Sequence, residues 1–69
     1  MSKEQELFNV FMMWKTKQVD STMIQHNEYI TILVNVGSVE YIIEPYDTFF
    51  TVSDGINTRI IDGHSIVNE

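Results

Sequence analysis

Cysteine is absent from this 69-residue chain, which excludes disulfide cross-links and any thiol-based site. Small natural domains commonly draw extra stability from disulfides, a metal or a partner subunit. With the first removed, a partner subunit is the expected supplement. The absence of cysteine also fits a reducing compartment. Alanine is missing as well, while Ile and Asn are plentiful, the composition of an AT-rich gene such as those of many bacteriophages. No apolar run approaches the roughly 20 residues needed to cross a bilayer as a helix. The N-terminus lacks a basic region followed by a continuous apolar stretch, so a cytoplasmic protein is the expectation.

Cations are the other scarcity: four Lys and Arg stand against ten Asp and Glu, for a net charge of −6. They are unevenly spread. Residues 1–19 hold Lys3, Lys15 and Lys17 against Glu4 and Glu6, a net of +1. From Asp20 onward only Arg59 opposes Asp20, Glu28, Glu40, Glu44, Asp47, Asp54, Asp62 and Glu69, a net of −7. Phosphate neutralisation requires clustered Lys and Arg, so direct binding to nucleic acid is disfavoured and a basic partner is favoured.

A chain of this length holds one core, and its pattern divides it into one helix and several strands, an α+β domain spanning residues 1–69. Ser2 followed by Gln5 is a capping-box spacing, and Glu4 and Glu6 suit the positive end of a helix dipole. The spacing predicts a helix over about residues 3–17, with Leu7, Val10, Phe11 and Trp14 on its core stripe. Phe8, Met12 and Met13 are apolar residues to spare beside that stripe.

After the helix the period falls to two and β-branched and aromatic residues dominate. Strands are predicted at about 28–36, 38–44, 48–53 and 56–61, with 21–25 and 65–67 as short additions, giving a four- to five-stranded antiparallel meander. Val36-Gly37-Ser38-Val39 fits a type II′ hairpin with Gly at its first central position. That turn sets Ile32 opposite Ile43, Val34 opposite Tyr41 and Val36 opposite Val39, an apolar face for the helix. The other face pairs Asn35 with Glu40, Leu33 with Ile42 and Thr31 with Glu44. Pro45 closes the strand. A two-residue turn at Asp54-Gly55 would set Phe49 opposite Ile60 and Phe50 opposite Arg59.

Signatures of catalysis and metal binding are missing. His26 and His64 each sit beside a turn, with no neighbouring motif that builds a nucleophile and base. Asp47, Asp54 and Asp62 do not have the spacing of an EF-hand loop, and Gly37, Gly55 and Gly63 are each explained by a tight turn rather than by a phosphate-binding loop. No cofactor is expected, and no enzyme, since a helix and a meander of this size leave little room for a substrate cleft.

Surfaces remain. Leu33 and Ile42, ringed by Glu40, Glu44, Glu28 and Asp47, form an acidic sheet face with an apolar centre, suited to a basic protein such as one with a nucleic-acid-binding groove. In size and charge the chain resembles small phage-encoded inhibitors of host enzymes, a likeness of class carried by no motif. The expected function is therefore a non-enzymatic interaction module acting as a regulator or inhibitor. The alternatives are a homo-oligomeric accessory protein joined through Phe8, Met12 and Met13, with the acidity serving solubility, and a small enzyme built on paired carboxylates.

Overall fold

A single helix, α1 (Lys3–Lys15), is followed by β1 (Ser21–Gln25), β2 (Ile30–Val36), β3 (Val39–Pro45), β4 (Phe49–Ser53) and β5 (Thr58–Asp62). The structure is a computed structural model and describes residues 2–62. The strands form one antiparallel sheet in the order β1-β2-β3-β4-β5, a meander, with α1 lying nearest β4 and β5. Segment 65–67 lies outside the described residues. Among those residues no helix is long and apolar enough to cross a membrane.

The helix begins where the cap places it. Ser2 is extended, and its hydroxyl accepts from the Gln5 N–H at 3.1 Å. The reciprocal half of the capping box is not used, because the Gln5 amide donates instead to Asn9 Oδ1 at 3.0 Å. The end falls two residues short of the expected one. Lys17 takes a left-handed φ of 63°, its N–H donates to Trp14 O, and the Gln18 N–H donates to Met13 O. These two bonds make a Schellman cap, a position usually filled by Gly, which is why the sequence hid it.

The β2–β3 hairpin has the expected register, with Ile32, Leu33, Val34, Asn35 and Val36 opposite Ile43, Ile42, Tyr41, Glu40 and Val39. Gly37 has φ of 65° while Ser38 does not have positive φ, the sign pattern of a type II′ turn. A methyl group added at Gly37 would meet nothing within 4 Å, so the requirement for Gly there is conformational. β1 takes the predicted span and pairs with β2, Met23 facing Ile32.

The second hairpin corrects the expected register. Phe50 faces Ile61, not Arg59, and Phe49 faces Asp62, not Ile60, because four residues rather than two join β4 to β5. Asp54 does not adopt the positive φ that a two-residue Asp-Gly turn demands at its first position. Its Oδ1 instead accepts from the Ile56 and Asn57 N–H groups at 2.9 and 2.8 Å, an Asx turn that widens the loop. A shift of two preserves the faces, so Phe50, Val52 and Ile61 all enter the core.

That core comprises Leu7, Val10 and Phe11 of the helix with Ile32, Val34, Tyr41, Ile43, Phe50, Val52 and Ile61 of the sheet. Phe11, Trp14 and Phe50 form a tilted aromatic triangle with centroids 5.0 to 5.8 Å apart, arrangements that add to area burial. Phe8, Met12, Met13 and Trp14 are half-buried against this core.

Three polar ties fix the N-terminal half of the helix. Tyr41 donates to Glu6 Oε2 at 2.5 Å, Arg59 donates to Glu4 O at 2.7 Å, and Lys3 lies 3.3 Å from Asp54. The bond to the carboxylate, with burial, pushes the Tyr41 phenol up to about 12 and draws Glu6 below its ordinary range. The two backbone donors, with Lys3, hold Asp54 at about 2.

Both limbs of the pH profile should report these ties. Asp54 and Glu6 have depressed values in the fold, so their stabilisation is present above the unfolded value, 3.8 for Asp54, and fades as the pH falls toward about 2. Tyr41 has a raised value, so its stabilisation is complete below 10.0 and fades as the pH rises toward about 12. Urea midpoints across this range should fall at both ends. Asp54→Ala should flatten the acid limb and Tyr41→Phe the alkaline one, and limbs unchanged by these substitutions would remove the assigned ties.

Candidate partner-binding surface

Alternation along the strands sends every second side chain to the sheet face away from α1. One row across that face runs Thr22, Leu33, Ile42, Ser53, Thr58, following the register from β1 to β5. Leu33 and Ile42 are half-buried at its centre, with exposed Glu40 and half-buried Glu44 on either side of Ile42 along β3. These four expected residues therefore share one face. Ile24 and Ile60 extend its apolar part toward the two edges at 39% and 59% exposure.

Glu28 and Asp47 are not on that face. They occupy the β1–β2 and β3–β4 loops, which alternate connections of a meander bring to the same end of the sheet, the end that Glu44 approaches. Between the last paired positions, Gln25 with Ile30 and Pro45 with Phe50, each connection holds four residues, and the two share one construction. The N–H of His26 donates to Tyr29 O and that of Tyr46 donates to Phe49 O, each at 2.8 Å. The first and last side chains then stack, His26 on Tyr29 at 4.1 Å and Tyr46 on Phe49 at 4.9 Å, with interplanar angles of 18° and 16°.

Between the loops lies a shallow hollow lined by Glu28, Tyr29, Ile30, Pro45, Tyr46 and Asp47 among others. Tyr29 and Tyr46 remain 54% and 44% exposed, so their rings are available to a partner. Tyr46 donates to Glu44 Oε1 at 3.2 Å, and the Glu44 charge raises the phenol above its ordinary value. Ring faces beside carboxylates suit a cationic side chain, which gains from the quadrupole and from the negative charge together.

These rings were missed in the sequence reading, although a signal exists. His26-Asn27-Glu28-Tyr29 and Tyr46-Asp47-Thr48-Phe49 share the order aromatic, Asn or Asp, polar, aromatic. Turn-favouring Asn or Asp between two rings marks a short loop closed by stacking.

Three of the four Lys and Arg side chains sit elsewhere. Lys3 pairs with Glu6 and Asp54, Arg59 lies 5.2 Å over the Phe8 ring while bonding Glu4 O, and Lys15 lies 5.9 Å from the Phe11 centroid. All three belong to the helix or the layer beneath it. Lys17, in the α1–β1 connection, borders the open face beside Leu33 and Asn35. From Gln18 to Thr58 the sequence contains no Lys or Arg, so no lysine or arginine from this stretch stands among Glu44, Tyr46 and Asp47.

Of the other expected oligomer residues, Phe8 is covered by Arg59, and Met12 and Met13 rest against the core. Among the described residues no three His, Asp or Glu side chains are grouped to hold a metal ion. Neither protein-family models, curated proteins nor solved structures give a significant match to the chain.

The tie between Glu44 and Tyr46 is directly measurable. Glu44→Gln removes the charge and should bring the Tyr46 phenol back toward 10.0, read by following its ring resonances through an alkaline titration. A Tyr46 titration identical in the two proteins would show that the carboxylate does not face the ring.

Proposed function

We propose that this chain is a non-enzymatic interaction module, a regulator or inhibitor, that docks its open sheet face and adjoining loops on a basic surface of another protein. The observation that carries the reading is the segregation of charge by layer. Lys3, Lys15 and Arg59 are engaged at the helix, while Glu28, Glu44 and Asp47 surround exposed tyrosines and the half-buried Ile42 lies beside Glu44. A nucleic-acid-binding groove is the kind of surface that fits, because carboxylates would stand where phosphates otherwise lie. Steering by charge would speed the encounter, and Leu33, Ile42, Tyr29 and Tyr46 would lengthen the residence time.

A helix-face homo-oligomer is less well supported, since Phe8 already stacks beneath Arg59 and Met12 and Met13 contribute to the fold's own core. The acidic-face reading is tested by recovering a partner from the source cell and titrating it against the wild type and the Glu40→Lys, Glu44→Lys double variant. Affinity should fall on the order of tenfold with the reversal, and should fall again between about 50 and about 300 mM salt. Affinity indifferent to both changes would sink the proposal.

A further inference from the structure

β1 forms one edge of the sheet, and all five of its residues are exposed. Among the described residues nothing pairs with its outer side. The phase of its ladder is fixed by the loop, where the His26 N–H donates to Tyr29 O. Antiparallel pairs alternate between bonded and non-bonded, so Ile24 with Thr31 and Thr22 with Leu33 are the bonded pairs of the β1–β2 register. Ser21, Met23 and Gln25 therefore turn their N–H and C=O groups outward.

Exposed edges are normally protected by charged side chains, proline or a bulge. Ser21-Thr22-Met23-Ile24-Gln25 has no charge and no proline, and its five pairs run without interruption, so it has no bulge. The opposite edge differs, because β5 carries Arg59 and Asp62. Met23 is on the helix-side face yet stays 62% exposed, since α1 lies over the far strands.

We propose that β1 is a self-association edge: two copies pair β1 antiparallel to β1 about a two-fold axis at Met23, continuing the five-stranded sheets into one another. This register is the one that overlaps the whole strand with its outward groups in bonded phase. Met23 meets Met23 of the second copy, Ser21 meets Gln25, and Thr22 meets Ile24. The three outward residues of each copy give one donor and one acceptor apiece, six interstrand bonds in all. Asp20 comes opposite His26, the only basic side chain between Gln18 and Thr58. This carboxylate–imidazole contact is made once at each end of a strip that otherwise carries no ionisable side chain. That self-complementarity, polar ends about an apolar centre, is what selects a second copy over an unrelated extended peptide.

Sedimentation of the whole chain from about 1 µM to about 1 mM should show the mass rising from 8.1 kDa toward twice that value. In the dimer the amides of Ser21, Met23 and Gln25 should become protected from hydrogen exchange, joining Thr22 and Ile24. Met23→Lys sets like charges opposite each other across the axis, and Met23→Pro removes an outward donor together with the side chain at the axis. Each should hold the chain monomeric with unchanged Trp14 fluorescence and circular dichroism. If one variant misfolds, the exchange pattern of the wild type still decides. A monomer at about 1 mM, or a dimer whose Ser21, Met23 and Gln25 amides exchange freely, would overturn the proposal. Neither result bears on the acidic face, which lies across β3 and its loops.

Discussion

The pairing of β2 with β3 across Gly37 is the constraint on which the other features rest. With a period of two, a slip of one residue would turn one of the two strands over relative to the other. Either Ile32 and Val34 or Tyr41 and Ile43 would then face outward, and Asn35 on the one strand or Glu40 and Glu44 on the other would be driven beneath the helix without partners, at a cost of several kcal/mol each. The observed register instead buries the first four at 3% exposure or less. Each fully buried aliphatic side chain contributes about 1.5–3 kcal/mol, so the correct face wins by a wide margin, and the single positive φ at Gly37 is the local device that selects it.

From that register the charge distribution follows. The helix covers one face only, and its polar ties to the sheet draw on the few cations the chain possesses, Lys3 and Arg59. Apart from Lys17 at its border, what remains for the other face and its loops is carboxylate, aromatic and uncharged surface. Lys3 remains half exposed where it meets Asp54, and ion pairs open to solvent are individually weak. The contribution of Lys3 and Asp54 is positional, since Asp54 also organises the β4–β5 loop through two backbone donors. The same small set of polar contacts thus orients the helix and leaves the far side of the molecule negative.

Much of this was legible in the residues. The alternation from Ile30 to Glu44, with Gly37 at its centre, specified the first hairpin pair by pair, and with it the common face of Leu33, Ile42, Glu40 and Glu44. The helix start was legible in Ser2, but not its end, because Lys17 occupies a left-handed position without the Gly that announces one. Backbone preference alone makes Asp54-Gly55 a two-residue turn, whereas the Asp54 side chain captures the backbone itself. The hollow between Tyr29 and Tyr46 was least legible, because it arises only when two loops distant in sequence meet at one end of a meander.

Interstrand proton contacts test the register most directly. In the observed pairing Leu33 and Ile42 form a non-bonded pair, since Val36 and Val39 close the two-residue turn as a bonded one. Their α-protons should therefore face each other and give one of the strongest long-range cross-peaks in a nuclear Overhauser spectrum. The matching contact is expected between Asn35 and Glu40. A strong Leu33 cross-peak to Tyr41 or Ile43 in its place would contradict the pairing, and with it the assignment of the buried and acidic faces.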